Sequence, residues 1–259
     1  MKLIKELNTS KDLAIKAGEA IMKIYNSSFD VDYKKDQSPI TLADKKSNEI
    51  IVNELLKQFP NYAILSEESK DDLTRLNNDW CWIIDPLDGT KEFIKKNGEF
   101  TVNIALAYRN KVVLGVIYIP VTKELYYAAK GFGAYYKIES KLNKISVSNR
   151  TENIRVMMSR SHATEKLKSL LKANEHRISD VKSAGSSLKG CLIAKGKAEV
   201  YYRYNLTREW DTAAMQCIVE EAGGIFKQMD GTPMLYNRVN TLNDKGFYIL
   251  NNLKSQLSS

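Results

Sequence analysis

The chain has 259 residues, 43% hydrophobic and 27% charged, which excludes a disordered segment and leaves room for a substantial core. A formal net charge of +8 admits nucleic acid, a membrane surface or a small polyanion as partner, but the lysines are spread along the chain with no dense basic run. Three cysteines, far apart and without CxxC spacing, and only two histidines, His162 and His176, argue against a disulfide framework, a zinc site and a Ser-His-Asp triad.

Apolar positions Leu13, Ala17, Ala20, Ile21 and Ile24 recur at helical spacing and predict an amphipathic helix over 9–26. A polar loop, Asp30 to Pro39, separates it from a second helix running from Thr41 to Phe59, whose Thr41-Leu42-Ala43-Asp44 start has capping-box spacing. Strand-like runs follow at Ala63–Leu65, Trp80–Ile84, Phe100–Tyr108, Lys111–Ile119 and Lys123–Ala128, with Arg109-Asn110 as a hairpin turn. After Lys144 the elements alternate. A strand is expected at Ile154–Met158, helices at Ala163–Ala173 and Ser186–Ala194, and a strand at Ala198–Tyr204. A helix Asp211–Ala222, closed by Gly223-Gly224, and a strand Gly246–Leu250 complete the chain. The pattern predicts an α+β part over 1–143 and an α/β part over 144–259. No apolar run approaches the ~18 residues of a spanning helix, and Met1 to Glu6 lacks a signal-peptide stretch. A cytoplasmic location is expected, with peripheral contact at the inner membrane as a variant.

The most informative stretch is Trp82-Ile83-Ile84-Asp85-Pro86-Leu87-Asp88-Gly89-Thr90. An apolar strand ends at a carboxylate, Pro86 is expected to stop the strand, a second carboxylate follows, and Gly89 permits a tight turn. Two acids held this close repel unless a positive charge lies between them. A hard divalent cation with oxygen ligands, most simply Mg²⁺, answers that need. Glu67 and Glu68, directly after a strand, Asp211 at the expected N-cap of its helix, Asp44 and Thr90 could each be ordinary loop or capping residues. Together they form the donor set of a metal-dependent phosphatase, which needs no cysteine, serine or histidine nucleophile.

Asp85-Pro86-Leu87-Asp88-Gly89-Thr90, the upstream Glu67-Glu68 and the downstream Trp210-Asp211-Thr212-Ala213-Ala214 resemble, in order and separation, the motifs of the lithium-sensitive, Mg²⁺-dependent inositol monophosphatase superfamily. The resemblance spans nearly the whole chain. It implies the layered αβαβα sandwich of the sugar phosphatases. It also implies two or three Mg²⁺ ions held by Glu67, Asp85, the Leu87 carbonyl, Asp88 and Asp211. Asp44 and Thr90 carry over as the pair that orients and deprotonates the attacking water. Glu68 either binds a further metal or shapes the loop.

Lys91-Glu92-Phe93-Ile94, Asn97-Gly98-Glu99-Phe100-Thr101-Val102-Asn103, Ser159-Arg160-Ser161-His162 and Gly185-Ser186-Ser187-Leu188-Lys189 are similar to the 3′(2′),5′-bisphosphate nucleotidase branch. That branch implies hydrolysis of the 3′-phosphate of 3′-phosphoadenosine 5′-phosphate to AMP and phosphate. An inositol monophosphatase or dual-specificity enzyme is the nearest alternative, and a basic nucleic-acid-binding protein is the alternative from another class. For a bisphosphate, Ser186 and Lys189 at a helix start would hold the uncut 5′-phosphate. Gly89, Thr90, His162, Arg203 and Asp211 complete the expected substrate contacts. The partner is then a small molecule rather than nucleic acid, and the protein a monomer or homodimer.

Overall fold

The computed structural model describes residues 3–34, 39–160 and 164–258. Two helices, α1 (Ile4–Tyr25) and α2 (Leu42–Gln58), open the chain. α1 starts at Ile4 rather than at residue 9, because Leu3 and Leu7 prolong its buried face. A small ribbon, β1 (Val31–Tyr33) paired with β2 (Pro39–Thr41), interrupts the expected loop.

A sheet with seven strands follows, in the order β3-β4-β5-β6-β7-β8-β9. Its strands are β3 (Ala63–Ser66), β4 (Trp80–Asp88), β5 (Thr101–Tyr108), β6 (Lys111–Ile119), β7 (Glu124–Ala129), β8 (Gly133–Ile138) and β9 (Lys141–Ile145). The short helix α3 (Thr90–Ile94) lies between β4 and β5. Only the β3–β4 pair is parallel. Pro86 does not end β4. The β4–β5 register shifts between Asp85 and Asp88, so Pro86 and Leu87 occupy a bulge. A residue without an N–H costs a ladder nothing at that point.

The second sheet has the strand order β11-β10-β12-β16-β14. In chain order the elements are β10 (Ile154–Ser159), α4 (Glu165–Ala173), β11 (Ile178–Ala184), α5 (Leu188–Ala194), β12 (Val200–Arg203), β13 (Thr207–Arg208), α6 (Glu209–Glu221), β14 (Ile225–Gln228), β15 (Leu242–Asn243) and β16 (Phe247–Leu250). β13 and β15 pair separately. β11-β10-β12 is parallel, while β16 pairs antiparallel with both β12 and β14.

Strand alternation assigns the layers. One face of the larger sheet, with Trp82, Ile84, Ile104 and Val116, shares a core with Leu13, Ala17 and Ile21 of α1 and Ile51 and Leu55 of α2. The other face, with Ile83, Ala105, Ile117 and Ala128, packs with Cys191 and Ile193 of α5 and Ala213 and Ile218 of α6. The same core takes in Met157, Tyr201, Phe247 and Ile249 of the second sheet. The outer face of that sheet, Val156, Tyr202 and Leu250, is covered by Leu167 and Leu170 of α4. The result is the αβαβα sandwich. α6 lies so close to β6 that a Cβ on Gly115 would sit 2.4 Å from the Ala214 carbonyl oxygen. This close approach leaves no room for a side chain between α6 and β6.

Cys81, Cys191 and Cys217 are buried free thiols. Among the described residues no helix is long and apolar enough to cross a membrane. Just before β12 lies Glu199, a fully buried carboxylate. It accepts hydrogen bonds from Arg155 N (2.7 Å), Nε (3.1 Å) and Nη2 (2.6 Å) and from Ser148 Oγ (2.7 Å).

Candidate active site

Three carboxylates meet where β4 ends and α6 begins. Asp85, Asp88 and Asp211 each offer a ligand oxygen, and these atoms lie within 4.8 Å of one another. Asp85 is buried and receives the Leu87 amide at 3.1 Å. Three donors converge on Asp88 Oδ2: Ser187 Oγ at 2.7 Å, Asn103 Nδ2 at 3.1 Å and Thr101 Oγ1 at 3.4 Å. Its Oδ1 is left for a cation. Asp211 is not the N-cap but the N3 residue, because α6 starts at Glu209 and Arg208 caps it; Asp211 Oδ2 accepts the Arg208 amide at 2.6 Å. One oxygen again serves the backbone while the other faces the cluster.

The electrostatics of this trio call for a cation. Burial pushes Asp85 well above the ordinary carboxylate range, and the neighbouring charges of Glu67, Asp88 and Asp211 push it further. Burial, then Asp88 and Glu67, raise Asp211 to about 8. Among the described residues none of Asp44, Asp85, Asp88 and Asp211 forms an ion pair. Hard oxygen donors that repel one another in a poorly solvated corner suit Mg²⁺.

Asp44 and Thr90 stand beside the trio. Thr41 caps α2, its Oγ1 accepting the Ala43 amide at 3.1 Å, while Asp44 Oδ2 accepts Thr41 N and Oγ1, both at 2.7 Å. Asp44 Oδ1 accepts the Thr90 hydroxyl at 2.9 Å. The capping role and the contact with Thr90 thus use different oxygens. Burial raises the Asp44 carboxyl above its ordinary value, against the hydrogen bonds from Thr41 and Thr90. One turn along α2, Ser47 Oγ donates to the Pro86 carbonyl at 2.6 Å and pins the bulge. The Leu87 carbonyl lies 3.5 Å from the Thr90 hydroxyl, whose proton goes to Asp44.

Glu67 and Glu68 are bridged by a residue the motif search passed over. Lys34 Nζ lies 2.8 Å from Glu67 and 2.6 Å from Glu68. Burial opposes the lysine's charge, but the two glutamates outweigh it and hold Lys34 above the ordinary lysine value. Glu68 is raised to about 7, chiefly by burial.

The acids open into a cavity of about 260 Å³ whose lining includes Gly89, Thr90, Ser159, Ser186, Lys189 and Arg203. Helix α5 begins at Leu188, later than expected, because Ser186 takes a φ of +36° and belongs to a turn. Lys189 is neither solvated nor reaching outward. Its ammonium is buried and donates to the carbonyls of Ala184 (3.2 Å) and Ser186, and burial lowers it to about 8. Arg203 Nη1 donates to Ser159 Oγ at 3.1 Å, while its Nε is buried without a partner. Tyr202 and Tyr204 pack with the outer core, as strand residues do. His162 lies outside the described residues. Ser187, Asn103, Ser47 and Lys34 carry the site alongside the expected set. Of these, only Ser187 and Asn103 fall within motif stretches, and nothing in their spacing marks them as partners of Asp88.

Residues 3–255 match the inositol monophosphatase family. The 3′(2′),5′-bisphosphate nucleotidase CysQ of Salmonella typhimurium is 41% identical over 243 residues, covering 92% of this chain and 96% of that protein. Its namesake from Buchnera aphidicola is 43% identical over 258 residues, covering 94% and 93%. Among solved structures, CysQ from Bacteroides thetaiotaomicron superposes with a TM-score of 0.84 at 40% identity, over 95% of this chain and 97% of that one. An IMPase from Thermotoga maritima gives a TM-score of 0.81 at 27% identity, over 96% and 92%.

Proposed function

From the premise that this chain belongs to the inositol monophosphatase family, we propose that it is a Mg²⁺-dependent 3′(2′),5′-bisphosphate nucleotidase that converts 3′-phosphoadenosine 5′-phosphate to AMP and phosphate. The observation that carries the choice of substrate is one cavity with two poles. Its lining carries an acidic set, Asp85, Asp88 and Asp211, and a basic set, Lys189 and Arg203. A monophosphate needs only the first pole. A substrate with one phosphate to cut and one to hold uses both.

Asp85, Asp88 and Asp211, with Glu67 and the Leu87 carbonyl, would hold two or three ions. When bound, these would polarise the phosphoryl oxygens, acidify a water and stabilise the leaving 3′-oxygen. The remaining work falls to the chain's own groups. The Thr90 hydroxyl donates to Asp44, so its lone pairs are free to accept a hydrogen from the attacking water. As that water adds to phosphorus and the P–O3′ bond breaks, one of its protons passes through Thr90 to Asp44, and the departing O3′ takes a proton from solvent water to give the 3′-hydroxyl of AMP. Asp44 is desolvated, and its raised pKa makes it a better base than an exposed aspartate. At the other pole Lys189 commits two of its three donors to carbonyls and keeps one. Arg203 lines the same cavity and adds a second positive charge there. Gly89, Thr90 and Ser186 complete the lining, and His162 is the remaining expected contact to the nucleoside. A cytoplasmic monomer or homodimer acting on a soluble nucleotide fits this reading.

The test is phosphate release with Mg²⁺ from 3′-phosphoadenosine 5′-phosphate, 3′-AMP, inositol 1-phosphate and fructose 1,6-bisphosphate. The bisphosphate nucleotide should have the highest kcat/KM. Equal or better use of inositol 1-phosphate would sink the reading in favour of an inositol monophosphatase.

A further inference from the structure

Behind the cationic pole, outside the cavity lining, Glu99 holds together parts of both sheets. Its carboxylate accepts Arg160 Nε at 2.7 Å and Nη2 at 2.6 Å, and the Gly185 amide at 2.8 Å. Its own carbonyl accepts Ser186 Oγ at 2.9 Å. Arg160, directly after β10, also donates from Nη2 to the Ser183 carbonyl in β11 at 3.1 Å. The Gly185–Ser187 turn therefore rests against one residue of the first half of the chain. It rests closely: a Cβ on Gly185 would lie 2.7 Å from the Glu99 carbonyl oxygen.

The turn needs such a brace. Ser186 sits at a φ of +36°, a region L-residues rarely adopt unless neighbouring contacts impose it. Two contacts do so here: Ser186 Oγ on the Glu99 carbonyl and the Lys189 ammonium on the Ser186 carbonyl. On its far side the turn touches the acid cluster, where Ser187 Oγ donates to Asp88. A shift of the turn would displace the Lys189 donors, while Asp88 keeps its bond from Asn103.

We propose that Glu99 is a positioning residue for the uncut phosphate. Through Arg160 and the Gly185 amide it fixes the turn that sets Lys189, and it thereby tunes preference for substrates carrying a second phosphate. The inference rests on the bisphosphate reading above. Glu99 touches no substrate itself, and its charge is neutralised by Arg160, so it does not oppose the anion.

The experiment measures KM and kcat for 3′-phosphoadenosine 5′-phosphate and 3′-AMP in wild type, Glu99→Gln and the double variant Glu99→Gln/Arg160→Gln, with thermal melting of each. Glu99→Gln should raise KM for the bisphosphate about tenfold, with kcat and the 3′-AMP parameters changed less than about twofold. The double variant should remain impaired, because relieving the unpaired arginine does not restore the brace. Full recovery in the double variant would reduce Glu99 to a counter-ion and overturn the proposal. A lowered melting temperature with unchanged KM would make it merely structural. A wild type indifferent to the 5′-phosphate would overturn both this proposal and the substrate assignment. Wild-type preference that survives Glu99→Gln would overturn this proposal alone.

Discussion

Two buried acid sites in this molecule are built on opposite terms. Glu199 lies at the end of β12 away from Arg203, and four donors fill its oxygens, three of them from Arg155. Burial would raise its pKa, but Arg155 and Ser148 outweigh that and leave it below the ordinary value. At the end of β4, Asp85 accepts the Leu87 amide at 3.1 Å and has the acidic neighbours Glu67, Asp88, Asp211 and Glu68, and its pKa goes the other way. Both sites are desolvated. One is closed by the protein itself, whereas the other is left in deficit, and the deficit is the affinity for a cation. A buried acid is thus read as structural or functional from its partners, not from its burial.

Asp88→Asn strikes hardest at the open site. It should lower kcat by at least about a hundredfold at saturating Mg²⁺, while the metal-free variant melts no lower than wild type, since a like charge has gone. Glu199→Gln is its mirror image. It should cost about 3 kcal/mol of stability by leaving Arg155 without its partner, read from urea titration, with kcat/KM nearly unchanged. If Glu199→Gln also lost activity, the separation of the two sites would collapse.

Asp44→Asn sharpens the contrast within the active site. Asp44 is as buried as Asp85 but has its donors from Thr41 and Thr90, and the role proposed for it is proton transfer. Steady-state kinetics should show kcat down about a hundredfold with KM little changed. A normal kcat with a lower melting temperature would return Asp44 to helix capping alone. Ser187→Ala removes one of the donors on Asp88 and should weaken Mn²⁺ binding, followed by calorimetry, about tenfold.

The smallest effect is a matter of sign. In metal-free protein Asp85 and Asp211 hold protons that the unfolded chain releases near pH 4. Their contribution to stability is full below about pH 4 and is lost as pH rises through the folded values, about 8 for Asp211 and well above the ordinary range for Asp85. Glu199, with a depressed value, contributes above its ordinary pKa and loses that contribution as pH falls through the folded one. In chelator, the melting temperature should fall from pH 5 to 8, and Mg²⁺ should flatten that slope by replacing the proton. A melting temperature that rises with pH in chelator would contradict the assigned deficit.

Much of this was legible in the sequence, because the acids sit in short, contiguous motifs. The element pattern puts Asp85, Asp88, Glu67, Asp44 and Asp211 at strand ends and helix starts, while their grouping and the layers came from the resemblance to the inositol monophosphatase superfamily. What stayed hidden depends on contacts across the chain. Ser187 reaches Asp88, Lys34 reaches Glu67, and Glu99 reaches Gly185, and no local pattern marks those pairs. β9 escaped because its exposed residues Lys141 to Lys144 show no alternation. Pro86 misled for a physical reason: a bulge accommodates it, and the strand goes on.

The placement of α6 has a consequence for how the protein is made. All strands of the larger sheet are complete at Ile145, with α1 and α2 available to cover one face, but the residues that cover Ile83, Ala105, Ile117 and Ala128 come from α5 and α6. At ~5–20 residues per second a ribosome needs several seconds to supply that second layer. If the sheet forms in that interval, its face with Ile83, Ala105, Ile117 and Ala128 has no helix on it, and Asp85 and Asp88 lack Asp211. A fragment ending at Ile145 would hold that exposed state permanently, so synthesis of the last helix both seals the core and completes the acid trio.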